Sequence, residues 1–167
     1  MAASGEIDSL DAIDCAILEV LQREARESFT RIGRQVGLSS TAVSDRMRHL
    51  EATGVIAGYH ADVVPKRAGF PIMAFLLVRS TGPDARFSKV VQSRPEIIEC
   101  YRVTGEVSFV IRAVLSRVEH LEELIDYLEQ TSYVTTLIVL STALKRPGLP
   151  LVESKRFKNS RSRRRVR

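Results

Sequence analysis

Between residues 10 and 53 the apolar positions fall at helical spacing. Ile13, Ile17, Val20 and Leu21 form the stripe of a first helix over residues 11–23, with Asp11 placed to cap its start. Ile32 and Val36 then repeat at i, i+4, Gly37-Leu38-Ser39 interrupts, and Val43, Met47 and Leu50 repeat at i, i+4, i+7. Gly37 stands where a helix end needs a left-handed residue, and Ser28 and Ser39 stand where helix starts need a side-chain oxygen. Two short helices joined by such a turn predict a helix-turn-helix, whose second helix fits a major groove. It ends near Thr53-Gly54. The stretch GVIAGYHADVVP then sets β-branched residues between Gly54 and Gly58 and predicts an extended ribbon, a wing.

After PKRAG (Pro65 to Gly69), read as a hinge, the period changes. Strands are predicted over residues 72–80, 97–103, 107–115 and 134–144, and helices over 83–92 and 117–129. Pro83 suits a first helical turn, Ser116 and Glu119 read as a capping box, and Val118, Leu121, Leu124, Ile125 and Leu128 form an inner helix face. The order βαββαβ is the ferredoxin-like split unit. The fold class is therefore α+β. A winged helix-turn-helix over residues 8–60 is joined by a hinge (61–70) to a ferredoxin-like domain (71–147), and a disordered basic tail (148–167) follows. Phe75 to Val78 and Leu137 to Leu140 are apolar on both alternating faces, yet such a sheet has helices on one side only. The uncovered face predicts a homodimer with sheets packed face to face, which would space two recognition helices along DNA.

Charge changes this picture. The net +5 is a property of the end of the chain: residues 153–167 carry eight Lys or Arg and one Glu, whereas the first 152 residues carry 17 Lys or Arg against 19 Asp or Glu. A flexible arm of this composition neutralises phosphates; a solvated tail with no dedicated role is the plainer alternative. Acids load the first helix region (Glu6, Asp8, Asp11, Asp14, Glu19), and arginines cluster around the hairpin (Arg26, Arg31, Arg34, Arg46, Arg48). With Val43, Met47 and Leu50 turned inward, Ser40, Thr41, Ser44, Asp45 and Arg48 face outward with Arg46 at the edge. Together with Ser39, Arg31 and Arg34 these are the candidate contacts to double-stranded DNA, small hydroxyls allowing close approach and arginines reaching guanine or phosphate. A helical hairpin with a merely solvated polar face fits the spacing equally well.

Other chemistry is sparse. The 44% apolar content suits a globular core, and no apolar run approaches the ~20 residues of a membrane span. With no signal-like start, a soluble cytoplasmic protein without a membrane partner is expected. Cys15 and Cys100 fall in apolar stripes and read as buried free thiols. His49, His60 and His120 are scattered, so neither metal nor cofactor is expected. No paired carboxylates, Ser/His/Asp set, Cys/His pair or phosphate-cradling loop can be assembled, which argues against an enzyme.

The stretch from Leu10 to Ala61, LDAIDCAILEVLQREARESFTRIGRQVGLSSTAVSDRMRHLEATGVIAGYHA, followed by a βαββαβ unit carrying CYRVTGEVSFVI, resembles the leucine-responsive regulatory protein family (Lrp/AsnC). Leu10-Asp11, Asp14, Ile17-Leu18, Gly37-Leu38-Ser39, Arg46, Leu50-Glu51, Gly54-Val55-Ile56 and Thr104-Gly105 match its signature positions. The resemblance implies a transcription regulator that forms dimers and assembles further, often to octamers. It also implies a small-molecule effector, usually an amino acid, held between dimers against Thr104, Gly105, Glu106, Val107 and Ser108. Tyr101, Thr135 and Thr136 are further candidates for that pocket. Ser108 departs from the family's usual aspartate, and a serine offers an α-ammonium group only a neutral hydrogen bond. An architectural, nucleoid-type DNA binder with weak or no effector response is the alternative reading. For Thr104-Gly105 the plain alternative is a tight turn between strands.

Overall fold

Asp11 caps the first helix of the described residues. The computed structural model describes residues 10–81 and 84–151; the expected disordered start over residues 1–7, the Pro83 first-turn position and most of the basic tail lie outside the described residues. The chain divides into two units, one of residues up to Ala61 together with Leu144 onward, the other of Asp62–Ala143.

In the first unit α1 (Ala12–Arg23), α2 (Phe29–Val36) and α3 (Ser40–Ala52) enclose Ile17, Leu18, Ile32, Val43, Met47 and Leu50. Each helix starts on a side-chain cap. Asp11 accepts from the Asp14 amide, Ser28 Oγ from the Arg31 amide and Ser39 Oγ from the Ala42 amide. Gly37 ends α2 with φ +74°, the left-handed conformation that glycine adopts without penalty. Gly33 has a different job: it is buried in α2, and a Cβ on it would overlap the carbonyl oxygen of Leu38 across the turn. That carbonyl's approach is fixed because the Leu38 amide donates to the Gly33 carbonyl at 2.9 Å. The tight turn thus depends on a bare backbone inside the helix. The expected wing is not a ribbon: residues 54–64 are extended or turn and form no strand. The β-branched content was there, but a strand needs a partner, and Tyr59 instead hydrogen-bonds back to Glu51 on α3 at 2.7 Å.

The second unit opens with a single 3-10 turn at Pro65–Ala68 in the expected hinge. Then come β1 (Ile72–Ser80), α4 (Asp84–Gln92), β2 (Ile97–Arg102), β3 (Phe109–Leu115), α5 (Val118–Glu129) and β4 (Ser132–Ile138). The sheet order is β2-β3-β1-β4 with every neighbouring pair antiparallel, the ferredoxin-like arrangement. Ala74, Leu76, Val78, Phe109, Ile111 and Leu115 bury one face against Phe87 of α4 and Leu121, Leu124 and Leu128 of α5. Phe87 and Phe109 stack with ring centroids 4.6 Å apart.

Several boundaries differ from expectation, each for a pairing reason. β4 starts earlier than residue 134, because Ser132 pairs with Ser80 and its hydroxyl bonds the Leu128 carbonyl. It stops well before residue 144, because after Val139 donates to Met73 strand β1 offers no further partner. β3 begins at Phe109 rather than 107, leaving residues 103–108 as a loop. Ser116 does not cap α5: Arg117 holds the cap position without a side-chain bond, and Ser116 Oγ lies 3.5 Å from His120 Nδ1. Cys15 is buried as expected, but Cys100 sits exposed on the edge strand β2.

Gly33→Ala is expected to destabilise the first unit by about 1–3 kcal/mol through overpacking against Leu38. The Gly37→Ala change should cost about 1–2 kcal/mol through its left-handed backbone alone. Chemical denaturation that leaves Gly33→Ala as stable as the parent would refute the close-approach argument.

Candidate functional site

α3 turns inward through Val43, Met47 and Leu50, so Thr41, Ser44, Asp45 and Arg48, at i, i+3, i+4 and i+7, share its opposite face. Thr41, Asp45 and Arg48 are exposed and Ser44 is half-buried. Arg48 lies along this face, 3.2 Å from Asp45 and 3.3 Å from Ser44 Oγ. The guanidinium is thereby held extended over the helix by weak exposed contacts that a stronger acceptor can displace. Ser39 and Ser40 stand exposed at the helix start. On α2, Arg31 and Arg34 are both exposed, Arg31 lying 3.4 Å from Glu27.

Arg46, at the edge of this face, is engaged within the fold. Its Nη1 donates to Asp11 Oδ2 at 2.8 Å and to Asp14 Oδ1 at 2.7 Å. The other oxygen of each carboxylate completes a reciprocal cap: Asp11 Oδ1 accepts from the Asp14 amide at 2.7 Å, and Asp14 Oδ2 from the Asp11 amide at 3.2 Å. All four carboxylate oxygens are used, and α3 is tied to the first turn of α1. Partial burial pushes the Asp11 carboxyl up, but the Asp14 amide and the Arg46 guanidinium outweigh it and hold the carboxyl below its ordinary value. Arg46 is held above its own ordinary value, first by Asp11 and then by Asp14. Its side chain therefore fixes α3 against α1. The i, i+3 spacing of Asp11 and Asp14 was the signal; their third partner lies too far along the chain to be read locally.

The nominated effector residues divide by strand register. Tyr101 pairs with Val110, Val110 with Leu77, and Leu77 with Thr135, so Tyr101 and Thr135 lie in one cross-strand row on the sheet face away from the helices. Thr136 does not join them. It pairs with the fully buried Leu76, which puts it on the helix side, since adjacent residues of a strand point to opposite faces. Beyond the row lies the loop of Thr104, Gly105, Glu106, Val107 and Ser108. Gly105 has φ +119°, and nothing would meet a Cβ there, so its requirement is conformational. The Ser108 amide donates to the Val78 carbonyl at 2.8 Å, its hydroxyl oxygen accepts from the Ser80 amide at 3.4 Å, and Arg79 Nε donates to the Glu106 carbonyl at 3.1 Å. The loop is thus pinned to the end of β1.

The same open face carries a charged network that sequence reasoning missed. Arg112 grips Glu99 through both Nε, at 2.9 Å, and Nη2. The Arg112 bond holds Glu99 below the usual carboxylate range, and a bond to Glu99 pushes Tyr101 up. Met73, Phe75 and Leu77 beside it are half-buried, and Leu137 on β4 is half-exposed. Among the described residues no group of His, Cys, Asp and Glu is arranged to hold a metal ion, and no helix is long and apolar enough to cross a membrane.

Residues 10–51 match the family model of the AsnC-type helix-turn-helix domain, and residues 73–149 that of the Lrp/AsnC ligand binding domain. The chain is 35% identical over 139 residues to the helix-turn-helix-type transcriptional regulator YezC of Bacillus subtilis, covering 83% of this chain and 99% of YezC. The solved structure of LrpC from Bacillus subtilis superposes with a TM-score of 0.79 at 28% identity, over 82% of this chain and 99% of that one. A transcriptional regulator of Neisseria meningitidis, solved as a complex with L-methionine, gives a TM-score of 0.79 at 27% identity over 85% and 97% of the two chains.

Replacing Arg46 by Met is expected to lower stability by about 1–2 kcal/mol, near the low end for charged hydrogen bonds because the group is partly exposed, with Arg46→Lys recovering part of the loss. Because the folded Asp11 value is depressed, its stabilisation is present above the ordinary value of 3.8 and is lost as pH falls through the lower folded value. Denaturation curves of parent and Arg46→Met should therefore converge in acid, and a constant gap down to pH ~2 would contradict the assignment.

Proposed function

Because the chain belongs to the Lrp/AsnC family of transcription regulators, we propose that α3 reads duplex DNA in a sequence-specific way and that the ferredoxin-like domain takes a small effector. The observation that carries this reading is the capped α3 with Thr41, Ser44, Asp45 and Arg48 on its outer face. Hydroxyls there suit close approach to base edges, and Arg48 suits a guanine or a phosphate. Ser39, Ser40, Arg31 and Arg34 serve the flanking phosphates, and Arg46 acts from behind as a positioning residue. The relatives carry the names of regulators, and we read this chain as a regulator and not an enzyme, acting in the cytoplasm.

Dimerisation through the open sheet face is supported by the half-buried Met73, Phe75 and Leu77 and by the half-exposed Leu137 on that face. Two recognition helices related by a two-fold axis then meet a roughly palindromic site. Higher assemblies up to an octamer place the effector between dimers, against the loop 104–108, with Tyr101 and Thr135 on the two edge strands of the same open face. The L-methionine complex of the Neisseria meningitidis protein supports an amino acid as the ligand class. Ser108 supplies no charge to an α-ammonium group, so an amino acid binds here through the loop's backbone and the aromatic Tyr101. Binding regulates only to the extent that the ligand prefers one assembly state or pose over another.

A second reading, an architectural DNA binder with little effector response, is favoured by Ser108 and by the eight basic residues after Glu153. Thermal shift against the twenty amino acids, paired with light scattering, separates the two. An effector at 100 times its Kd raises stability by about 2.7 kcal/mol, and the effector reading expects one chemical class of amino acid to do so and to change the assembly mass. Footprints should then cover a few defined sites. Absence of any shift at millimolar ligand, together with extended footprints, would move the protein to the architectural reading.

A further inference from the structure

Arg79 and the loop that follows β2 meet at one end of the sheet. On β1 Arg79 follows the fully buried Val78, so strand alternation turns it to the open face, where it stands exposed beside its register partner Tyr133 of β4. Tyr133 is 71% exposed, whereas Met73, Phe75 and Leu77 further along the same face are half-buried. Arg79 Nε donates to the Glu106 carbonyl at 3.1 Å, which fixes the guanidinium against the loop 104–108. Among the described residues no carboxylate pairs with it. Arg112, on the same face, is by contrast already taken by Glu99 through both Nε and Nη2. Arg79 therefore keeps the donors of both terminal nitrogens, a fork that matches a carboxylate.

The loop beside this fork offers donors. The amides of Thr104, Gly105, Glu106 and Val107 donate to no protein group among the described residues, and successive unclaimed amides in a turn favour an anion. Ser108 is spent on the turn: its amide donates to the Val78 carbonyl at 2.8 Å and its hydroxyl oxygen accepts from the Ser80 amide at 3.4 Å. We propose that Arg79 is the carboxylate-binding residue of the effector site, so that the carboxylate end sets the ligand class. That class is a small monocarboxylate. An α-amino acid qualifies by its carboxylate, and the 2-oxo acid of the same carbon skeleton qualifies on the same ground. The corresponding α-carboxamide leaves the guanidinium without its matching charge. Glu106 carries a like charge in the same loop, which disfavours a dicarboxylate. Tyr133, beside the guanidinium, offers its ring to the body of the ligand. The assignment rests on the reading of the ferredoxin-like domain as effector-binding.

The test titrates the full chain, as parent, Arg79→Gln and Arg79→Lys, with the twenty amino acids and, for each one that binds, with its α-carboxamide and its 2-oxo acid, by calorimetry. Circular dichroism and light scattering without ligand check that both variants keep the parental fold and assembly mass, as substitutions at an exposed position should. In the parent the carboxamide is expected to bind roughly tenfold to a hundredfold more weakly than the amino acid, the size of a lost charged hydrogen bond, and the 2-oxo acid to bind comparably to the amino acid. Arg79→Gln is expected to weaken the amino acid by the same factor and to leave the carboxamide unchanged, so that the discrimination disappears. Arg79→Lys, a point charge without the fork, should retain part of it. Equal weakening of amino acid and carboxamide by Arg79→Gln would mean that the residue acts through its bond to the Glu106 carbonyl, as a support of the loop, and would overturn the proposal. Unchanged amino-acid binding in Arg79→Gln would overturn it too, as would a 2-oxo acid that fails to bind where its amino acid binds. If no amino acid binds the parent, the effector reading itself fails, and the role of Arg79 falls with it.

Discussion

The DNA-binding unit depends on one closed network, the capping box of Asp11 and Asp14 gripped by Arg46. A helix of 13 residues such as α3 has little stability of its own in water, and its direction in a small domain is set by what it packs on and what it is tied to. Val43, Met47 and Leu50 supply the packing, which is non-directional. The guanidinium supplies direction, because its donors reach two carboxylates whose other oxygens are already fixed on the first turn of α1. The same bonds satisfy orphan amides at the start of α1. One residue of α3 thus serves the fold, while Arg48 lies on the opposite, exposed face.

The effector domain works by the same economy of faces. Strand alternation sends Ala74, Leu76 and Val78 to the helices and Met73, Phe75 and Leu77 to the open side. The open side combines apolar strand residues with the Glu99–Arg112 pair, so a covering surface must match both hydrophobic area and one charge arrangement. Such a pair adds register to an interface more than it adds affinity. At one end of that face the loop 103–108 is sewn to β1 through Val78, Ser80 and Arg79. A ligand that moves this loop therefore pulls on the central strand of the sheet.

What the sequence disclosed follows from how local each cause is. The caps Ser28 and Ser39 and the left-handed Gly37 act within one turn of the chain, and their residue types name their roles. The ferredoxin-like order was legible because strand and helix periods differ. Gly33 was not legible as a special position, because the atom that excludes its Cβ belongs to the far side of a turn. The tie of Arg46 to α1 was not legible, because its partners stand 32 and 35 residues away. The ends of β4 are set by where β1 begins and ends, which no property of residues 132–144 encodes. The same pairing puts Thr135 and Thr136 on opposite sides of the sheet, although they are neighbours in the chain. The missing wing makes the converse point, since β-branched residues favour a strand only where another strand is present to pair.

Under the proposed reading α3 divides its labour, with Arg48 contacting DNA and Arg46 aiming the helix that carries it. That division is tested most directly by selecting binding sites from randomised duplex with the parent, Arg48→Ala and Arg46→Lys. The account predicts that Arg48→Ala loses base preference at one symmetric pair of positions, at about 1–3 kcal/mol on the preferred site, while Arg46→Lys selects the parental motif. A uniform loss across all sequences for Arg48→Ala, or an altered base preference for Arg46→Lys, would contradict it.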